Sequence, residues 1–257
     1  MPFGISTSCL YPQKTEEALI ELGKLGAKNC EVFLNSPCEI TGDFAKTLNG
    51  IKNEYGMDIV AVHPFSSFAE TYMLFSEYSR RFDDTLDIYK RTFEFAAEVG
   101  AKFSAIHGSL LPGKISENEY FERFCRLYEK GREAGMFVCQ ENVNRHFSQN
   151  PDFLKNMRSF MGSDFKMIFD VKQAVRSGYD AIEFADEFKN SIVHIHLSDN
   201  KEGFDCLPPG CGSFDFKKLF AVMNDAGYSG SYIIELYRSN FEKATDLRKA
   251  LDYVEEL

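Results

Sequence analysis

The chain has 257 residues, of which 44% are hydrophobic and 26% are charged, a composition typical of a globular protein with a sizeable core. Its formal net charge of −10 argues against general nucleic-acid binding, because phosphate recognition requires clustered Lys and Arg. No apolar run approaches the ~18 residues of a membrane helix, and the segment MPFGISTSCL lacks the charged start and long apolar core of a secretory signal.

The cysteines indicate a reducing environment. Their number is odd and they show no CxxC spacing, so neither a disulfide framework nor a zinc ribbon is expected. The seven positions are 9, 30, 38, 125, 139, 206 and 211. We therefore expect a cytoplasmic protein with no membrane association.

Short apolar or β-branched segments alternate with segments of helical periodicity along the whole chain. The predicted strands are 3–7, 29–34, 58–63, 102–107, 136–141, 166–170, 191–197 and 231–236. The predicted helices are 15–26, 43–55, 80–99, 117–134, 151–160, 179–188, 214–226 and 240–256. Gly26, Gly100, Gly135 and Gly227 close helical segments, where a left-handed cap is expected before the next strand.

This alternation predicts an α/β fold. The strands are continuous apolar runs, which is typical of a parallel sheet covered by helices. Eight strands alternating with eight helices indicate a closed (β/α)8 TIM barrel, with residues 1–257 forming a single domain. A doubly wound open sheet is the alternative, but it would have a glycine-rich turn after the first strand, and STSCLYPQ has none.

Ionisable residues collect at the C-terminal ends of the predicted strands, which converge on one mouth of a barrel and form its active site. These residues are Glu31, His63, His107, Glu141, Asp170, His196 and Glu235. Charged groups within buried strands need partners, so their repeated occurrence at the same end indicates a shared site.

The last four strands supply the most informative subset, with separations of 29, 26 and 39 residues between successive members. Three carboxylates and one imidazole suit a divalent Mn, Mg, Co or Zn ion, and without a cation the carboxylates would repel one another. The four residues are Glu141, Asp170, His196 and Glu235. The alternative is that each is a separately hydrogen-bonded group at the end of its strand.

Seven segments resemble the xylose-isomerase-like barrel superfamily, over nearly the whole chain and in matching order. They are VHPF, AIHGS, QENV, FDVKQAVRSG, HIHLSDN, LPPGCGSFD and IIELY. The superfamily contains sugar-phosphate isomerases and epimerases, ketose 3-epimerases, inosose dehydratases and DNA repair enzymes of the endonuclease IV type. The resemblance is specific for the superfamily and leaves the substrate open.

The resemblance implies roles for individual residues. Ketose epimerases hold one metal ion with a Glu, an Asp, a His and a Glu from successive late strands, which correspond here to Glu141, Asp170, His196 and Glu235. The two glutamates also act as the acid and base. We therefore expect a metal-dependent isomerase or epimerase that removes a proton next to the carbonyl of a keto-sugar or sugar phosphate.

Three other functions are compatible with the same residues. A keto-polyol dehydratase of the inosose type would use the same proton abstraction and then expel a hydroxyl as water. A two-metal phosphoesterase of the endonuclease IV type would bind a second ion through His63, His107 and Glu141. A non-catalytic sugar-binding barrel is the third. We prefer the interpretation in which His63 and His107 bind sugar hydroxyls, and we expect His194 to support the site from a deeper layer.

The chain departs from the superfamily pattern at two positions. Gln173 occupies the last position of an Asp-x-x-His motif, where it could bind substrate by hydrogen bonding but could not transfer a proton. Cys206 occurs where a His commonly precedes the Pro-Gly segment. Because the repair endonuclease needs both regions for its third zinc ion, these differences and the acidic charge argue against DNA repair.

Three features near the mouth have two interpretations each. Lys172 and Arg238 either bind a phosphate or carboxylate of the substrate or are solvated surface charges. The aromatic-rich segment 65–75 either covers a bound sugar or packs against a second copy of the chain in a homo-oligomer.

Overall fold

Eight mostly apolar segments form parallel strands that close into a barrel, which confirms the predicted (β/α)8 fold. The computed structural model describes residues 1–257. Its strands are β1 Phe3–Ser6, β2 Asn29–Phe33, β3 Asp58–His63, β4 Phe103–Ile106, β5 Phe137–Glu141, β6 Met167–Asp170, β7 Ile192–Leu197, β8 Asp199–Lys201, β9 Phe204–Leu207 and β10 Ser231–Ile234. The order around the barrel is β1-β10-β7-β6-β5-β4-β3-β2, and β8 and β9 form a separate antiparallel hairpin.

Ten helices surround the barrel strands. They are α1 Thr15–Lys24, α2 Gly42–Tyr55, α3 Glu70–Met73, α4 Ser79–Glu98, α5 Glu117–Glu133, α6 Pro151–Met161, α7 Val171–Arg176, α8 Ala181–Phe188, α9 Phe216–Asp225 and α10 Ala244–Glu255. Thr41, Ser116 and Asp215 cap α2, α5 and α9 by accepting bonds from backbone N–H groups of the first turn. None of the ten helices is both long and apolar enough to cross a lipid bilayer.

The main differences from the predicted elements lie after β6 and β7. The predicted helix 179–188 is present as α8, but α7, which begins immediately after Asp170, was not predicted. The β8–β9 hairpin was not predicted, because strands of 3 and 4 residues are too short to show an apolar period. The Asp199 carboxylate organises the segment after it by accepting bonds from the backbone N–H groups of Gly210, Gly212 and Phe214.

The hydrophobic core lies mainly between the barrel and its helices, where 64 buried residues form one cluster. A small second cluster of Ala105, Cys139 and Ile168 is separate from it. Strand register then positions the polar residues above. Asp170 is the direct partner of His196, and the backbone N–H of Glu235 donates to Leu197 O at 3.1 Å. The late strands therefore end level with one another at the mouth.

Candidate metal centre

Four side chains from β5, β6, β7 and the end of β10 converge at the mouth. Their potential ligand atoms all lie within 4.8 Å of one another, and the residues are Glu141, Asp170, His196 and Glu235. The first three are about 1% exposed, and the Glu235 side chain is 13% exposed. The structure thus brings together the set that the sequence singles out, with one edge open to solvent.

His196 is the centre of this cluster. Its Nδ1 faces one oxygen of each carboxylate, at 3.8 Å for Glu141, 3.7 Å for Asp170 and 3.5 Å for Glu235. Its Nε2 contacts Glu31 Oε2 at 2.9 Å. A carboxylate on the far nitrogen of a ligating imidazole orients the ring and raises its basicity. His196 therefore has the two-sided arrangement of a metal-ligating histidine.

Glu31 connects both histidines of β7. His194 Nε2 lies 3.1 Å from the same oxygen, Glu31 Oε2, and both side chains are fully buried. His194 is thus one layer below the mouth, separated from the four-residue cluster by its contact with Glu31. Burial raises the pKa of the Glu31 carboxyl, but the charge of His196 and the bonds from both imidazoles bring it well below its ordinary value.

The Glu141 carboxylate faces two groups of partners with its two oxygens. Oε1 points towards His196, whereas Oε2 lies 3.2 Å from His63 Nε2 and 3.5 Å from His107 Nε2. The other nitrogen of His63 contacts Ser67 Oγ at 2.9 Å. Ligand atoms of His63, His107 and Glu141 also lie within 4.8 Å of one another, so Glu141 belongs to two adjacent clusters.

Burial and charge oppose each other at Glu141. Burial raises its pKa, but the charge and hydrogen bond of His107, together with the other two imidazoles, bring the pKa well below its ordinary value. At His107, burial lowers the pKa, but the charge and hydrogen bond of Glu141, together with the charges of Glu70 and Glu235, raise it to about 9. Glu141 is therefore held ionised among imidazoles.

Glu235 has different companions. Its Oε2 accepts a hydrogen bond from Lys172 Nζ at 2.8 Å, and the same Nζ lies 2.9 Å from Asp170 Oδ2. Ser8 Oγ lies 3.5 Å from the other oxygen of Glu235. The interpretation of Lys172 as a solvated surface charge is wrong, because its side chain is only 3% exposed. Burial lowers the pKa of Lys172, but Asp170 and Glu235 raise it well above its ordinary value.

The residues present fit a divalent cation. Two facing ligand atoms, His196 Nδ1 and Asp170 Oδ2, are buried and make no hydrogen bond, although Lys172 Nζ forms an ion pair with Asp170 Oδ2 at 2.9 Å. Buried polar atoms are normally hydrogen-bonded, so two buried atoms that face each other without a hydrogen bond are suited to share a cation. Mixed carboxylate and imidazole ligands suit Mn, Zn and related ions.

The other predicted contact residues lie at the edge of this centre. Gln173 Oε1 accepts a hydrogen bond from the backbone N–H of Asn144 at 3.1 Å. The backbone N–H of Gln173 donates to Asp170 Oδ1. Arg238 is exposed, and its guanidinium donates to the backbone oxygens of Phe241 and Glu242 within its own loop. Neither side chain forms a hydrogen bond or an ion pair with the carboxylates of the four-residue cluster.

Sequence reasoning missed Glu70, a fully buried carboxyl in the segment after β3. It accepts from Tyr89 Oη at 2.8 Å and from the backbone N–H of Gly108 at 2.6 Å, next to His107. Gly108 has φ of 88°, and a side chain there would collide with the Tyr120 hydroxyl. Glu70 begins the four-residue helix α3, which is too short to show helical periodicity in the sequence, so no sequence signal points to this contact.

The fold and this cluster together define a TIM barrel with a buried set of ligand atoms, suited to a divalent ion, at the C-terminal ends of its strands, where such barrels place their active sites. The sequence profile of the xylose isomerase-like TIM barrel family matches residues 22–257. The chain belongs to this family, which confirms the resemblance stated above.

Individual relatives are distant. The chain is 24% identical over 255 residues to an inosose dehydratase of Geobacillus thermodenitrificans, covering 86% of this chain and 81% of the relative. It is 25% identical over 188 residues to the L-ribulose-5-phosphate 3-epimerase UlaE of Escherichia coli, covering 66% of this chain and 62% of the epimerase. A crystal structure of a D-tagatose 3-epimerase-like protein superimposes with a TM-score of 0.83 at 21% identity, over 100% and 97% of the two chains.

Proposed function

We propose that the protein is a divalent-metal-dependent sugar isomerase or epimerase that removes a proton next to the carbonyl of a keto-sugar or sugar phosphate. The observation that carries this proposal is the convergence of four ligand atoms within 4.8 Å at the barrel mouth. Glu141, Asp170, His196 and Glu235 would hold the ion. When bound, the ion supplies Lewis-acid polarisation of the substrate carbonyl.

Glu141 and Glu235 are the proposed acid–base pair. They stand at the two ends of the arc β5-β6-β7-β10, so a substrate between them would meet one carboxyl group on each side. One carboxylate takes the proton from the carbon next to the carbonyl, and the other, protonated, delivers a proton to the opposite face. In the reverse reaction the two glutamates exchange these roles.

The remaining predicted residues would bind and orient the substrate. His107 is 23% exposed beside Glu141, so its ring can reach a sugar hydroxyl at the mouth. His63 lies beneath it, with ring centroids 4.7 Å apart. Gln173 and Arg238 would contribute from the rim. Seven free cysteines support a reducing compartment, so we propose that this chemistry takes place in the cytoplasm.

The relatives support proton abstraction as the shared step. Inversion at carbon 3 of a 2-ketose and dehydration of an inosose both begin by removing a proton from a carbon next to a carbonyl. The test is incubation of the metal-loaded protein with a panel of ketoses, ketose phosphates and inososes in heavy water, followed by NMR. Deuterium incorporation with inversion or isomerisation supports the proposal, whereas loss of water identifies an inosose-type dehydratase.

A negative result is equally informative. If no panel member exchanges a proton, and Glu235→Gln binds each sugar as the wild type does, the barrel is a sugar-binding protein without catalysis. The control for Glu235→Gln is Glu242→Gln, which changes an exposed glutamate in the same loop. If the protein is an enzyme, Glu242→Gln should catalyse deuterium exchange at the wild-type rate.

One observation favours a second candidate, a two-metal phosphoesterase. His63, His107 and Glu141 form an adjacent cluster, and Glu141 presents one oxygen to each cluster as a bridging carboxylate would. Metal content separates the two functions. About one ion per chain supports the sugar enzyme, whereas about two ions per chain with cleavage of a phosphodiester supports the phosphoesterase.

A further inference from the structure

The four-residue cluster already contains a cation that belongs to the protein. Lys172 lies in the first turn of α7, two residues after Asp170, and its ammonium is enclosed between Asp170 and Glu235. The side chain is 3% exposed, and the ring of Tyr237 covers it with its centroid 5.2 Å from Nζ. A cation–π contact adds to the attraction of the two carboxylates.

The ammonium contacts the same two oxygens that face His196. Asp170 Oδ2 lies 2.9 Å from Lys172 Nζ and 3.7 Å from His196 Nδ1. Glu235 Oε2 lies 2.8 Å from Lys172 Nζ and 3.5 Å from His196 Nδ1. An ion bound by the four-residue cluster would use these two oxygens. It would therefore share them with the Lys172 ammonium, which lies less than 3 Å from each oxygen.

A local hydrogen bond restrains the Asp170 carboxylate beside the ammonium, and a weaker contact restrains Glu235. The other oxygen of Asp170 caps α7 by accepting from the backbone N–H of Gln173 at 3.0 Å. Glu235 has Ser8 Oγ at 3.5 Å from its other oxygen. The Lys172 ammonium is paired only with these two carboxylates, because it has no other acidic partner within 4.0 Å.

We propose that Lys172 is a tethered counter-cation of the metal centre, a positioning residue that holds Asp170 and Glu235 in place and weakens their hold on a divalent ion. Two effects act in the same direction. The ammonium repels the ion directly, and it neutralises the carboxylates in the metal-free protein, so less is gained when the ion binds. This inference rests on the proposed function only in requiring that the cluster binds a metal.

The test is calorimetric titration of metal-free protein with Mn²⁺. Lys172→Met removes the charge while keeping a long flexible side chain, and we expect it to bind Mn²⁺ at least ~10-fold more tightly than the wild type. Lys172→Arg keeps the positive charge, so its affinity for Mn²⁺ should stay within about threefold of the wild type. Lys201→Met removes an exposed lysine near the same end of the barrel and should leave the affinity unchanged.

A lysine with a merely structural role would give the opposite result, since its removal would loosen the site. Unchanged or weaker Mn²⁺ binding by Lys172→Met would overturn the inference. Binding by Lys172→Arg as tight as that expected for Lys172→Met would overturn it as well. If Lys172→Met does not fold, Lys172→Gln provides the neutral variant. It should also bind Mn²⁺ more tightly than the wild type, and unchanged or weaker binding would overturn the inference. Failure of the wild type to bind Mn²⁺ would instead remove the proposed metal-dependent function.

Discussion

The two glutamates at the barrel mouth are chemically identical but have different surroundings. Glu141 is buried between His63 and His107, whose imidazoles can donate or accept protons. Glu235 is partly exposed and faces an ammonium and a hydroxyl, from Lys172 and Ser8. The same type of side chain is thus supported by two imidazole rings at Glu141 and by a lysine ammonium at Glu235. A pair that exchanges protons with opposite faces of a substrate benefits from such asymmetry.

The largest effects should come from removing either carboxylate. We expect Glu141→Gln and Glu235→Gln each to reduce the rate of deuterium exchange into substrate on the order of 10³-fold, since each loses an acid–base group. Glu141→Gln should also destabilise the protein more, because two imidazoles lose their buried partner. Exchange rates by NMR and thermal melts measure these outcomes. Exchange within about tenfold of wild type in either variant would contradict the acid–base assignment.

The next largest effect concerns Glu31, which supports His196 from below at 2.9 Å. We expect Glu31→Gln to weaken Mn²⁺ binding roughly 10- to 100-fold, because the imidazole loses the carboxylate that orients it. His194→Asn is the matched control, since it removes a neighbour of Glu31 but keeps the Glu31–His196 contact. Titration calorimetry measures the Mn²⁺ affinity of both variants. Equal losses of affinity would show that Glu31 and His194 support the site only through packing.

A smaller effect, which depends on pH, is expected at Glu70. This carboxyl contacts Gly108, next to His107, and so lies on the Glu141 side of the mouth. Burial raises the pKa of Glu70 to about 7, so the folded protein keeps a proton there that the unfolded chain loses near its ordinary pKa of 4.5. Stability therefore falls as pH rises through this window, when the buried carboxyl must ionise. Relative to Glu70→Gln, the wild type should lose about 1–3 kcal/mol of unfolding free energy across it.

Urea titrations of both proteins at several pH values measure this difference. The expected result is a gap between the two unfolding free energies that changes between pH 4.5 and about 7 and is constant above that range. A gap independent of pH would show that Glu70 is ionised throughout, held by the N–H of Gly108 and the hydroxyl of Tyr89.

The smallest effect is expected on the Glu235 side, at Ser8. Its hydroxyl lies 3.5 Å from Glu235 Oε1 and 2.9 Å from Ser6 Oγ, so its contact with the glutamate is weak. Ser8→Ala should lower kcat/KM by about two- to fivefold. A loss comparable to that of Glu235→Gln would mean that Ser8, and not Lys172, is the main support of this glutamate.

The fold and the four-residue cluster were accessible to sequence reasoning because both follow from local patterns. Continuous apolar runs ending in Glu141, Asp170 and His196 predict buried parallel strands with polar ends. Parallel strands in a barrel end at one mouth, so topology alone brings such residues together. No long-range contact had to be guessed.

The supporting contacts could not be predicted, because they depend on side-chain direction and on distant segments. Glu31 and His196 meet across the barrel although 165 residues separate them. The position of Lys172 depends on α7 beginning directly after Asp170, which turns its side chain towards Glu235 instead of solvent. The contact of Glu70 with Gly108 depends on where the short helix α3 lies after β3.

The central claim is that Glu141, Asp170, His196 and Glu235 bind one divalent ion together. Anomalous diffraction from a crystal soaked in Mn²⁺ tests it most directly, because it locates the ion independently of any substrate. The account predicts one strong peak bonded to His196 Nδ1 and to an oxygen of each of the three carboxylates. A peak held by His63 and His107 instead, or no peak at the mouth, would contradict it.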